Sequence, residues 1–72
     1  MTNTELLNEK IAASGKKKAH LANKVGLSLG GFYNCCNNKA EFKASQIQIL
    51  CDELGINSLK EKQSIFFAKG DA

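Results

Sequence analysis

Tyr33 and Asn34 are the two side chains best equipped to read a base edge, and lysines crowd the chain on both sides of them. An asparagine carboxamide pairs bidentately with adenine, and a tyrosine brings a hydroxyl with an apolar ring suited to a thymine methyl. Seven lysines, at 10, 16, 17, 18, 24, 39 and 43, face a single acid, Glu41, between residues 10 and 43, whereas the rest of the chain is net acidic. That asymmetry gathers positive potential around one segment although the net charge is only +3. Such a surface suits phosphate and the release of its counterions. A lysine cluster alone often marks nothing more than a solvated face. Its overlap with Tyr33 and Asn34 favours a nucleic-acid ligand.

The elements that position these residues are two short helices and a turn. Leu21, Ala22 and Val25 place apolar groups at i, i+1 and i+4, with Ala22 small enough to let a second helix cross closely. Gly26 ends that helix in the left-handed conformation, Leu27 plugs the turn, and Ser28 is a good N-cap for the next helix. The expected helices run from about residue 17 to 24 and from about 29 to 36. Together they form a helix-turn-helix, residues 17–36. In such a motif the N-terminal part of the second helix enters the major groove, which selects Ser28, Leu29, Gly30, Gly31, Tyr33 and Asn34 as base or partner contacts, with Phe32 turned inward.

Leu21-Ala22, Val25-Gly26-Leu27-Ser28, Phe32-Tyr33 and Asn37-Asn38-Lys39 together resemble the Cro/repressor class of helix-turn-helix proteins of bacteria and temperate phages. The downstream runs Glu41-Phe42-Lys43-Ala44-Ser45-Gln46-Ile47, Ser58-Leu59-Lys60-Glu61-Lys62 and Ile65-Phe66-Phe67-Ala68-Lys69 narrow the likeness to short Cro-like phage proteins of low-GC Gram-positive bacteria. It extends over about residues 4 to 69. The resemblance implies an operator-binding transcriptional regulator, acting as a dimer in a lysis-lysogeny switch inside the bacterial cytoplasm. Related proteins carry a phosphate-binding Gln where Lys17 and Lys18 stand, Asn-Gly where Asn37-Asn38 stands, and polar readers in place of Gly30-Gly31.

Seventy-two residues suit one domain with one small core, a binding module rather than an enzyme with a deep cleft. No Ser/His/Asp set, carboxylate pair or other catalytic constellation is present, and no cofactor is expected. Arginine is absent, which removes the commonest bidentate guanine contact. Cys35, Cys36 and Cys51 are odd in number with no disulfide spacing and no secretory signal, so a reduced cytosolic setting is expected. One histidine, His20, with scattered cysteines does not make a zinc site. No apolar run is long enough for a membrane span.

Along the chain, Thr2-Asn3-Thr4-Glu5 predicts a capping box with Thr2 as cap, followed by a helix with Leu7, Ile11 and Ser14 inward, Leu6 flanking, and Gly15 as its stop. Asn37-Asn38 forms the exit of the third helix, since asparagine tolerates the left-handed region. Ser45-Gln46-Ile47-Gln48 predicts a second box, capped by Ser45, for a helix with Ile47, Leu50, Cys51 and Leu54 inward, closed by Gly55 and Ile56. Ser58-Leu59-Lys60-Glu61 predicts a third, for a terminal helix with Leu59, Ile65, Phe66 and Phe67 on its apolar side. Residues 69–72 should fray. The fold expected is therefore all-α: a compact five-helix Cro/repressor-type domain over 1–72, with its ordered core at about 3–68.

Lys16, Lys17, Lys18, Asn37, Lys39 and Lys43 are the candidate phosphate contacts. Lysine at a helix N-terminus is unfavourable to the helix itself unless an anion arrives. Gly30-Gly31 is the local oddity, because each glycine inside a helix costs about 1 kcal/mol relative to alanine. Two readings remain: the bare backbone admits a close approach, or the surface has turned from DNA to protein, as in an antirepressor that engages a phage repressor. Cys36 should be core and Cys35 nearer the surface. Phe66 and Phe67 are adjacent, so either one of them lies at a homodimer seam or both pack under the first helix.

Overall fold

The computed structural model describes residues 1–68. Five helices and no strand occur among them: α1 (Thr4–Ser14), α2 (Lys18–Lys24), α3 (Leu29–Cys36), α4 (Ala44–Leu54) and α5 (Leu59–Phe66). Helix α1 packs on α4 and α5, while α2 packs on α3 and α4. Residues 69–72, where fraying was expected, lie outside the described residues.

Four of the five helices, all but α2, open with a capping contact, but two of the expected caps are displaced. Asn3, not Thr2, caps α1, its Oδ1 accepting from Leu6 N at 3.1 Å. Thr2 is occupied elsewhere: its N–H donates to Asn38 Oδ1 and its carbonyl accepts from Asn38 Nδ2, both at 2.8 Å. Helix α4 begins after Lys43, so Ser45 stands exposed inside the first turn. Gln46 still reaches back, its Oε1 accepting from Lys43 N at 2.8 Å. Phe42 and Ile47 account for the shift. They hold the positions of a hydrophobic staple, on either side of the first turn, and both are buried. Ser28 and Ser58 cap α3 and α5 as expected, accepting from Gly31 N and Glu61 N.

The core draws on every helix. Leu7, Leu21, Phe32, Leu50 and Ile65 are its most completely enclosed large side chains. Phe42 joins two of its layers through edge-to-face contacts, 5.8 Å from Phe32 and 5.9 Å from Phe66 between centroids. Such pairs contribute about 0.5 to 1.5 kcal/mol each beyond their buried area.

Three burial expectations need correcting. Cys35 is buried with Cys36, because residues i+3 and i+4 from Phe32 share its inward face. Leu59 opens α5 at the edge of the bundle and is 68% exposed. Phe66 is core, whereas Phe67 follows the last helical residue and is 54% exposed.

Candidate nucleic-acid interface

The turn between α2 and α3 is built from backbone bonds that only a left-handed residue permits. Gly26 sits at φ 76°, its N–H donating to Asn23 O at 3.1 Å, and Leu27 N donates to Ala22 O at 2.9 Å. These two bonds satisfy the last carbonyls of α2 in the Schellman pattern. Half-buried Leu27 packs against the core, and Ser28 Oγ accepts from Gly31 N at 3.1 Å. With Phe32 fully buried beneath it, α3 is held by its inner face.

The outer face of α3 presents Leu29, Gly30, Tyr33 and Asn34, with Gly31 half-buried beside them. No charged residue belongs to this helix. Gly30 has helical geometry and open space where a Cβ would lie, so nothing inside the molecule requires glycine there. A Cβ on Gly31 would meet Ser28 Oγ at 3.2 Å. The Asn34 carboxamide forms no hydrogen bond among the described residues. Its backbone carbonyl accepts from Lys39 N at 2.8 Å and from Ala40 N at 3.3 Å, curling the exit loop back onto α3.

Lysines flank this helix along the chain, and one of them touches its outer face. Lys18, the first residue of α2, places Nζ 5.1 Å from the centre of the Tyr33 ring. That cation-π contact sets an ammonium group beside the aromatic ring on the outer face of α3, with no carboxylate paired to it among the described residues. Lys17 is exposed immediately before α2 and makes no capping bond. Beyond α3, Asn37, Lys39 and Lys43 are all exposed.

Lys16 departs from that set. Its Nζ donates to the Glu53 carbonyl at 2.8 Å and lies 3.2 Å from Glu53 Oε1, so it ties the approach to α2 to the end of α4. His20 Nε2 lies 3.2 Å from the same oxygen. The hydrogen bond from Lys16, then the one from His20, hold the Glu53 carboxyl below its ordinary range. Glu53 was not singled out in the sequence, and nothing in its local pattern marks it.

The exit of α3 is secured by the N-terminal segment. Asn38 takes the left-handed conformation at φ 64°, and its carboxamide makes the two bonds to Thr2. Thr4 Oγ1 donates to Cys36 O at 2.6 Å, satisfying a carbonyl at the end of α3. These three residues fix the loop that carries Lys39. Asparagine at position 38 thus has a structural counterpart in Thr2.

The three cysteines are free and buried. Burial pushes the Cys36 thiol up to about 11, and it raises Cys35 and Cys51 as well. Thiols so raised are poor nucleophiles. Among the described residues no three His, Cys, Asp or Glu side chains gather as a metal site requires, and no helix is long and apolar enough to cross a membrane.

Phe67 lies close to the exit loop. It shares a shallow depression with Met1, Thr2, Glu41 and Phe42, and borders an open groove of about 560 Å³ with Leu59, Lys62 and Gln63. Comparison with known protein families, with curated proteins and with solved structures finds no match.

Proposed function

We propose that this chain is a Cro-like transcriptional regulator that binds operator DNA, with α2 and α3 acting as a helix-turn-helix and α3 lying in the major groove. The observation that carries the reading is the flanking of the uncharged outer face of α3 by lysines, exposed Lys17 and half-buried Lys18 before it along the chain and exposed Lys39 and Lys43 after it. Lysines grip the phosphates and set the register. Ser28, Leu29, Tyr33 and Asn34 meet base edges, while Asn37 donates to the backbone. No catalysis and no cofactor enter this role. Its setting is the bacterial cytoplasm, at the genetic switch of a temperate phage, as the sequence resemblance implies.

A second copy completes the regulator. Helix-turn-helix proteins engage paired half-sites, and exposed Phe67, with Met1 beside it, offers an apolar seam next to the α3 exit loop. Duplex binding measured against salt tests the reading. Lys18→Ala and Lys39→Ala should each weaken binding to all sequences alike and reduce the salt slope by about one. Unchanged slopes would remove both lysines from the phosphate set.

The rival reading is an antirepressor that binds a partner repressor protein. The specific observation in its favour is the exposure of Leu29 and Tyr33 on a helix without charge. One substitution separates the two. Gly31→Arg should raise nonspecific DNA affinity and should abolish binding to a protein helix seated on the same face.

A further inference from the structure

We infer that α3 is built to read A·T base pairs, with Asn34 on an adenine and Leu29 and the bare backbone at Gly30 against thymine methyl groups. This inference rests on the DNA-binding reading proposed above and adds the sequence class of the ligand. Three independent observations converge on it.

Guanine presents two acceptors, N7 and O6, in the major groove, and cytosine presents a donor, so the strongest contacts to a G·C pair come from a cation and a carboxylate. Helix α3 contains neither, and the whole chain contains no arginine. The one cation in contact with this face among the described residues, Lys18, is engaged with the Tyr33 ring. Adenine, by contrast, presents an acceptor and a donor that match one carboxamide. Asn34 is exposed on α3 with its carboxamide unengaged among the described residues.

The third observation is Gly30. Nothing in the fold requires it, since its φ is not positive and a Cβ there would stand in open space. A glycine at this point nonetheless weakens the helix. What the missing Cβ does provide is room for a group on the ligand to approach the helix backbone. The thymine C5-methyl projects from the floor of the major groove and fills such room without needing a polar partner. Leu29, 43% exposed on the preceding position, extends the apolar contact.

The test is selection of the full chain on a pool of random DNA duplexes at low salt, followed by base-analogue substitution in the winners. Enrichment of A·T pairs at the positions protected in the major groove is expected. Replacing a contacted thymine by uracil, which removes only the methyl, should then cost about fourfold in affinity, the fold-change that corresponds to about 0.8 kcal/mol. Replacing the contacted adenine by 7-deazaadenine should cost about tenfold, and Asn34→Ala should abolish that penalty. Enrichment of G·C pairs, or indifference to uracil and 7-deazaadenine, would overturn the inference and leave DNA binding standing. Retention of no duplex at all would overturn the DNA-binding reading and the inference with it.

Discussion

Gly30→Ala and Gly31→Ala are neighbouring substitutions with the same chemistry, and the structure separates their effects. At Gly30 the added methyl meets nothing within 4 Å, so the gain is that of replacing glycine by alanine in a helix. For an exposed site in a first turn this is about 0.5 kcal/mol, below the full interior value of about 1. One kcal/mol moves the melting temperature of a small domain by about 4 to 8 °C, so a rise of about 2 to 4 °C is expected. At Gly31 the methyl would press on Ser28 Oγ at 3.2 Å, the oxygen that caps α3 through Gly31 N. Loosening a cap worth about 1 kcal/mol offsets the helical gain, and the net change should stay near zero. Thermal unfolding followed by circular dichroism reads both. A Gly30→Ala variant that melts no higher than wild type, or lower than Gly31→Ala, would refute the reasoning. On A·T-rich duplexes the same Gly30→Ala protein should bind more weakly despite its greater stability, because its methyl occupies the space left for thymine.

Lys16→Ala should lower the melting temperature while leaving the salt slope of duplex binding unchanged, the reverse of Lys18→Ala, because Lys16 is bonded to Glu53. A lowered slope would return Lys16 to the phosphate contacts. Phe67→Ala should weaken a concentration-dependent dimer in sedimentation with little change in melting, whereas Phe66→Ala should destabilise by about 3 to 5 kcal/mol as a core truncation. A wild type that remains monomeric at high micromolar concentration would remove the seam. The Cys36 thiol is raised to about 11 by burial, above its unfolded value of 9.0, so its contribution to stability is full below pH 9 and is lost as the pH rises through 11. Denaturant midpoints measured between those values should fall, and should fall less in Cys36→Ala. Glu53, held low by Lys16 and His20, contributes above its unfolded value and loses that contribution as the pH falls through its lowered one, so Glu53→Gln should flatten the acid side of the same curve.

The parts of the fold legible in the sequence are those decided within one turn of helix. Gly15, Gly26 and Gly55 stop three helices, Ser28 and Ser58 cap two, and Ile47, Leu50 and Cys51 share one buried face, all from local spacing. What the sequence concealed depends on partners far along the chain. Thr2 was a sound N-cap by type, but Asn38, thirty-six positions on, engages both of its backbone groups. Ser45 was a sound cap as well, and the Phe42–Ile47 staple set the helix start two residues earlier. Lys16 looked like its neighbours Lys17 and Lys18 until Glu53, thirty-seven positions away, came within reach. Cys35 is a different case. It was expected nearer the surface than Cys36, yet its i+3 spacing from Phe32, a local relation, places it on the same buried face. At the candidate site the flanking lysines and the exposed Tyr33 and Asn34 were legible, while the stacking of Lys18 on Tyr33 required the crossing of α2 and α3.

Amide chemical-shift mapping during titration with a duplex chosen by selection tests the central claim most directly. Saturable shifts at Lys17, Lys18, Ser28 to Asn34 and Asn37 to Lys43 are expected, with α1 largely silent. Shifts confined to α1 and α5, or none at low salt and high micromolar concentration, would contradict the assignment of α3 as a DNA-reading helix.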